Sequence, residues 1–186
     1  PKLGKKIIVA GRGADNIGMQ SGGWTISWQG EMGQTTDGTT ILDAIKSSVD
    51  EGTVVEYSEN GKGVSGDIAV VVVGEKPYAE MEGDKTDLKL AKEDLAVIAR
   101  FTDKNIPVVV VLLSGRPMIV TDEIDRWDSF VAAWLPGTEG SGVADVLFGD
   151  YNPTGKLSFS WPKNMDQFPI NPEDDHLYNF GYGLSY

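Results

Sequence analysis

The sequence has no cysteine and only one histidine, His176. Without cysteine there are no disulfides, thiolate metal sites or cysteine nucleophiles. One histidine cannot build a histidine-based metal cluster, and no recognisable carboxylate loop for a metal is present. Because His176 lies in an irregular tail, we expect a surface or structural role rather than the base of a Ser-His-Asp hydrolase. We therefore expect no metal and no cofactor.

Basic residues and long apolar runs are also scarce. Lys and Arg total 16 against 28 for Asp and Glu, so the formal net charge is −12. Such a surface repels phosphate backbones and anionic membranes, and we expect no nucleic-acid partner. No apolar run approaches the roughly 18 residues that a spanning helix needs, so we expect no membrane span.

The glycine motifs of nucleotide and serine enzymes are incomplete. Gly11 and Gly13 follow the first apolar run, but Asn16 stands where a dinucleotide fingerprint requires its third glycine. Neither Gly-Lys pair has the earlier glycine of a P-loop. Asp67 replaces the second glycine of a nucleophile elbow around Ser65. These motifs give no support to a nucleotide cofactor or an elbow serine.

The sequence does contain short apolar runs that are rich in valine and isoleucine and mostly lack alternation, which is typical of strands buried in a parallel sheet. Helical patterns lie between them, at Thr40–Val49, from Leu88 to about Lys104, and at Glu139–Phe148. The order predicts one layered α/β domain over residues 1–186. The aromatic and proline-rich tail, residues 151–186, is expected to wrap the sheet or cover a neighbouring domain. The runs are Ile7–Ala10, Val54–Tyr57, Ile68–Val73, Val108–Leu113 and Phe130–Leu135.

Ligands of open α/β sheets bind beyond the carboxyl ends of the strands, and a long loop follows the first strand there. This first loop, Gly11 to Gly38, holds eight glycines and several polar and indole side chains. Indoles beside hydrogen-bonding groups could form a platform for a sugar ring. The alternative is that the indoles pin the loop to the core. The side chains concerned are Arg12, Asp15, Asn16, Gln20, Trp24, Trp28 and Gln29.

A second loop, here called the acidic loop, runs from Gly74 to Asp84 after the third strand. It carries four carboxylates, Glu75, Glu80, Glu82 and Asp84. Crowding and partial burial raise carboxyl pKa values, as a general acid requires. The alternative is a solvated acidic loop, and the residues alone do not say which of the four carboxylates would act.

These segments resemble, in order and along essentially the whole chain, the second domain of glycoside hydrolase family 3. The subgroup is that of plant exo-β-glucanases and bacterial β-glucosidases. The matching segments are Gly22–Ile26, Trp28–Gly30, Gly38–Leu42, Gly74–Glu80, Gly83–Asp84, Leu135–Gly140, Gly149–Tyr151, Gly155–Leu157 and Phe180–Tyr186.

The resemblance implies a retaining mechanism with two carboxylates, about 5–5.5 Å apart, and a covalent glycosyl-enzyme intermediate. It implies that Glu80 is the acid/base and that Trp24 clamps the sugar on the leaving-group side. Glu75, Glu82 and Asp84 would then fix the loop or surround the site. The implied fold is a three-layer α/β sandwich with a mostly parallel, about six-stranded sheet, in which residues 155–161 form an edge strand.

The family's nucleophile lies on an upstream barrel domain that this sequence does not contain. Because the chain opens at Pro1 rather than Met, we expect an upstream portion to be missing or to be a separate chain. The expected partners are this N-terminal barrel domain and a β-glucoside or β-glucan oligosaccharide, and the isolated chain is expected to be inactive. The resemblance suggests a periplasmic or secreted location. The alternative function is a non-catalytic carbohydrate-binding or interaction module on the same fold.

Overall fold

The computed structural model describes residues 5–186 and contains a five-stranded sheet whose neighbouring strands all run parallel. The strand order is β2-β1-β3-β4-β5, so β3 is central. All five apolar runs are confirmed as strands, although Leu135 lies just beyond the last one. The strands are β1 Lys6–Ala10, β2 Val54–Ser58, β3 Ile68–Gly74, β4 Val108–Leu113 and β5 Ser129–Trp134.

The three predicted helices are confirmed, and one further short helix is present. Thr40 caps α2 by accepting a hydrogen bond from the Asp43 amide at 3.0 Å, and left-handed Gly149 ends α4. Helix α3 begins later than predicted, because Leu88 lies buried before it and Ala91 is its cap. The helices are α1 Ile17–Ser21, α2 Ile41–Ser48, α3 Lys92–Thr102 and α4 Gly140–Phe148, with 3₁₀ turns at Glu80–Gly83, Ile124–Arg126 and Met165–Gln167.

The two faces of the sheet are covered by different elements, which gives three layers. On one face, alternate strand residues such as Val9 and Val72 pack against α2, α4 and Met19 of α1. On the other face, residues such as Ile8 and Val71 pack against α3 and the tail. Both faces are apolar, which explains why most of the strands show no polar alternation. None of the helices in residues 5–186 is long and apolar enough to cross a membrane.

The expected edge strand at residues 155–161 is wrong, because the segment lies over a face of the sheet. The indole of Trp161 is buried, donates to the Met118 carbonyl oxygen at 2.8 Å and packs edge-on against Phe130 of β5. Trp161 makes only an isolated bridge, with Tyr178. Aromatic burial thus replaces strand pairing in this part of the tail, and the sheet has five strands rather than six.

His176 is buried in the tail, and its Nε2 donates to the Asn171 carbonyl oxygen at 2.7 Å. Of the two predicted roles, surface or structural, the burial and this hydrogen bond bear out the structural one.

Candidate active site

The first loop and the acidic loop follow β1 and β3, which are neighbours in the sheet. The chain leaves β1 toward the face that holds α2 and leaves β3 toward the face that holds α3. Ligands of such sheets bind at the carboxyl ends of neighbouring strands whose connections go to opposite sides, as these do. The topology therefore brings both predicted loops to one place.

Two contacts join the loops directly before Glu80. The side-chain oxygen of Gln29 accepts a hydrogen bond from the Ala79 amide at 2.8 Å. Gly23 lies against the backbone of Tyr78, where an added Cβ would stand 2.0 Å from the carbonyl oxygen. The residue before Trp24 and the two residues before Glu80 are thus in contact, and the two segments form one unit.

Trp24 and Trp28 stand in solvent at the tip of the first loop, with 70% and 45% of their surface exposed. The Trp24 amide donates to the Trp28 carbonyl oxygen at 2.9 Å, which closes a tight turn. The ring centroids are 6.3 Å apart and the rings are tilted by 52°. The alternative that the indoles pin the loop to the core is therefore wrong, and their apolar faces are free to stack on a ligand.

Most polar side chains of the first loop are engaged in holding it together, so the expectation that they read sugar hydroxyls is not met by the structure. Buried Gln20 donates to Gly137 at 2.9 Å and accepts from the Ile41 amide at 3.0 Å. Asn16 caps α1 by accepting from the Met19 amide at 2.8 Å. The first loop therefore contains the short helix α1, which its high glycine content did not predict.

The Arg12 side chain extends from the first loop to α3 and pairs there with Asp94. Sequence reasoning missed Asp94. An Arg12 guanidinium nitrogen lies 2.9 Å from the Asp94 carboxylate and 2.5 Å from the Gly74 carbonyl oxygen. Burial raises the pKa of Asp94, and the neighbouring Arg12 charge works against that rise. The pair ties the first loop to α3 and to the start of the acidic loop.

Glu80 begins the 3₁₀ turn in the acidic loop and is exposed. Among residues 5–186, its side chain has no hydrogen-bond or ion-pair partner. Its backbone φ is +48°, and that of Trp24 is +60°, so both residues occupy the left-handed region that side chains other than glycine rarely adopt. Such strain persists only where surrounding structure imposes it, and it concentrates at functional sites.

Glu75, by contrast, is buried and fully engaged. Its carboxylate lies 2.7 Å from Arg116 and 3.4 Å from Lys85, and it accepts from the Ser114 hydroxyl at 2.9 Å. Burial alone would raise the pKa of Glu75, but the hydrogen bonds and charges of these partners outweigh it and lower the pKa below the ordinary value. Glu75 therefore fixes the loop, while Glu80, Glu82 and Asp84 remain exposed.

Arg116 is the second residue that sequence reasoning missed. It follows β4, the neighbour of β3 in the sheet. Its position just beyond the carboxyl end of a strand is the sequence feature that could have identified it. Its guanidinium binds Glu75 and donates to the Gly83 carbonyl oxygen at 2.6 Å. It also lies 4.6 Å from the centre of the Tyr78 ring. Burial first, and then the charge of Glu75, raise the pKa of Tyr78 to about 12.

Among the described residues, Glu80 is thus an exposed carboxylate without a partner, on a segment that contacts the loop carrying the exposed indoles. Such a combination suits proton transfer to a stacked, uncharged ligand. Within residues 5–186, no group of three or more acidic or histidine side chains could hold a metal ion.

Comparison with known proteins shows which family this chain resembles. The family described as "Glycosyl hydrolase family 3 C-terminal domain" matches residues 1–186. The lysosomal beta glucosidase of Dictyostelium discoideum is 30% identical, covering 98% of this chain and 26% of that protein. The periplasmic beta-glucosidase of Salmonella typhimurium is 30% identical, covering 97% of this chain and 31% of that protein.

A solved structure, the exo-1,3/1,4-beta-glucanase from a Pseudoalteromonas species, superimposes with a TM-score of 0.89 at 46% identity. The match covers 99% of this chain and 25% of that one. The chain thus spans about a quarter to a third of the length of these relatives.

Proposed function

We propose, because this chain belongs to glycosyl hydrolase family 3 and matches its C-terminal domain, that it supplies the acid/base carboxylate of a retaining β-glucosidase or exo-β-glucanase. Glu80 is that carboxylate, and Trp24 stacks on the sugar at the leaving-group side. The observation that carries the proposal is the contact between the Trp24 and Glu80 segments, through Gln29 and Gly23, beyond the carboxyl ends of β1 and β3. Both residues are exposed and held in a left-handed backbone conformation.

The reaction has two steps, and Glu80 acts in each. In the first, protonated Glu80 donates its proton to the glycosidic oxygen as the bond to the anomeric carbon breaks and a carboxylate nucleophile attacks that carbon. In the second, the Glu80 carboxylate takes a proton from water as the water oxygen attacks the anomeric carbon and releases the nucleophile. Glu80 ends the cycle protonated, and the sugar is released with its configuration retained.

The nucleophile is proposed to come from a barrel domain outside these 186 residues, in the same polypeptide or a separate chain, so the isolated chain is inactive. The substrates proposed are β-glucosides and β-gluco-oligosaccharides, from which glucose is released. The names of the relatives support this class, since they are β-glucosidases and an exo-1,3/1,4-β-glucanase. A periplasmic or secreted location is proposed on the same basis, one relative being named periplasmic and another lysosomal.

The test is Glu80→Gln in the polypeptide that joins this domain to its nucleophile domain. Turnover of cellobiose should fall by about 10²–10⁴-fold, because its sugar leaving group needs protonation. Formation of the glycosyl-enzyme from an activated aryl glucoside should fall much less, because that leaving group departs without a proton. Stopped-flow and steady-state measurements of both substrates separate the two effects.

Glu82→Gln is the matched control, since Glu82 is an exposed glutamate in the same 3₁₀ turn. It should leave both substrates close to the wild-type rate. Normal cellobiose turnover by Glu80→Gln would rule out Glu80 as the acid/base.

A further inference from the structure

We propose that Arg116 is a positioning residue that fixes the position of Glu80 by contacting the acidic loop at its start, middle and end. The inference rests on the proposed acid/base role of Glu80. Arg116 itself lies outside the acidic loop, three residues after Leu113, the last residue of β4.

The three points of contact span the loop on both sides of Glu80. At the start, the guanidinium nitrogens of Arg116 lie 2.7–3.2 Å from the two carboxylate oxygens of Glu75. At the end, Nη1 donates to the Gly83 carbonyl oxygen at 2.6 Å. In the middle, the guanidinium carbon lies 4.6 Å from the centre of the Tyr78 ring. One side chain therefore contacts Glu75, Tyr78 and Gly83. The first two lie five and two residues before Glu80, and the third lies three residues after it.

Arg116 is itself anchored to the rigid part of the fold. Its amide donates to the Ser114 hydroxyl oxygen at 3.1 Å, and that hydroxyl contacts Glu75 at 2.9 Å. Ser114 follows directly on β4, whose last residues are fully buried. Arg116 in this way connects the acidic loop to the sheet.

Glu80 needs such a support because its own side chain has no partner within residues 5–186 and its backbone is in the left-handed region. A residue in this conformation relaxes unless its surroundings hold it. The ends of the loop are the places where a restraint can act without touching the reacting atoms. Arg116 provides it there, and about a quarter of its side chain is exposed.

Only arginine can make these contacts together. Its planar group carries five N–H donors and two faces, so it can bind a carboxylate side-on, reach a carbonyl and cover an aromatic ring. A lysine at this position keeps the charge but offers a single ammonium group. Lys85 already supplies such a charge, since its ammonium lies 3.4 Å from the Glu75 carboxylate and 5.9 Å from the centre of the Tyr78 ring.

The activity test compares Arg116→Met and Arg116→Lys in the polypeptide that contains the nucleophile domain. Arg116→Met should lower kcat for cellobiose by roughly 100-fold, the cost of a misplacement of about 1 Å, while KM changes by less than about threefold. Arg116→Lys should recover only part of that loss. Arg126→Met is the control, because Arg126 makes an exposed ion pair with Asp103 near the amino ends of β4 and β5, away from the carboxyl ends that carry the site. It should match the wild type.

A double-mutant cycle shows whether Arg116 acts through Glu80. In the Glu80→Gln background, Arg116→Met should reduce cellobiose turnover by less than about threefold more, because the group it positions is already gone. A full further loss of roughly 100-fold would overturn the proposal, because Arg116 would then act elsewhere. Normal turnover by Glu80→Gln alone would instead reject the proposed function, so the two failures are distinguishable.

Hydrogen exchange on this chain tests the contacts of Arg116 with the acidic loop without an activity assay. In Arg116→Met and Arg116→Lys, the amides of Ala79 and Asp84 should exchange faster than in the wild type, while those of β3 and β4 keep their protection. Arg126→Met should show no change at the acidic loop. Unchanged exchange at Ala79 and Asp84 in both Arg116 variants would overturn the proposal whatever the role of Glu80.

Discussion

At the scale of the residue, the most informative feature is the left-handed backbone of Glu80. An L-residue there costs roughly 1–2 kcal/mol more than glycine, which has no Cβ to clash. The fold tolerates this cost at an exposed position that contributes little to the core. Such a cost makes sense if the side chain has to point in one particular direction.

This strain predicts an unusual order of stability. Glu80→Gly should be more stable than Glu80→Ala by about 1 kcal/mol, although both remove the carboxylate. Urea unfolding of the chain at neutral pH measures the difference. At Glu82, whose backbone is not left-handed, the order should be reversed by about 0.5–1 kcal/mol. The same order at both positions would show that Glu80 is not strained.

Glu75 predicts a specific loss of stability in acid. Its pKa is lower in the folded chain than in the unfolded one, so the ionised form favours folding. This contribution is complete above the unfolded value of about 4.3 and is lost as the pH falls from there through the folded pKa. Urea unfolding between pH 3 and pH 7 should show it.

Glu75→Gln should be less stable than the wild type at pH 7 by about 3–5 kcal/mol, because Arg116 loses its buried anionic partner. The difference should narrow toward pH 3. A constant difference across this range would contradict the assignment of the acid-sensitive step to Glu75.

At the scale of the element, the close packing of the first loop against the acidic loop is the feature that forms the site. Gly23 is essential to it because any side chain would meet the Tyr78 carbonyl oxygen. This requirement is one of space rather than of backbone conformation, since Gly23 is not among the residues with positive φ.

Gly23→Ala should separate the two loops. We expect it to destabilise the chain by about 1–3 kcal/mol and to lower cellobiose turnover in the complete enzyme by roughly 100-fold. Gly142→Ala is the matched control, since Gly142 lies in α4 with open space at its Cβ position. It should raise stability by about 0.5–1 kcal/mol and leave turnover unchanged. Equal effects of the two substitutions would contradict the close contact.

The strands were predictable because a buried parallel strand leaves an uninterrupted apolar run, as in Ile68–Val73. The two loops were predictable because they follow such runs. The roles of the polar residues were not, since nothing local distinguishes a glutamine that bonds to distant backbone, like Gln20, from one that faces a ligand. The contacts of Arg116 were equally hidden, because they join residues 33 and 41 positions apart.

At the scale of the whole molecule, the chain exposes large apolar groups in the two loops of the proposed site as well as near the end of the tail. Trp24, Ile26 and Met81 are each more than 65% exposed. Exposed apolar groups gathered at one edge are typical of a surface that another protein or a ligand covers. This edge is where the proposed nucleophile domain would complete the active site.

Complementation tests this arrangement and separates it from a non-catalytic sugar-binding module. The chain alone should release no glucose from cellobiose, and mixing it with a separately expressed nucleophile-bearing barrel domain should restore release. The Glu80→Gln chain, mixed in the same way, should not restore it. Weak sugar binding by the chain without any complementation would instead favour the module.

The central position of β3 has a consequence for how such an enzyme would lose activity on heating. Glu80 lies in the loop that follows β3, the central strand, whereas β2 and β5 are the edge strands of the sheet. Peripheral segments of a protein open locally at a small free energy, and its most enclosed strands open only with the whole. Fraying of the outer elements should therefore leave the proton donor in place, and thermal inactivation of this domain should coincide with its global melting.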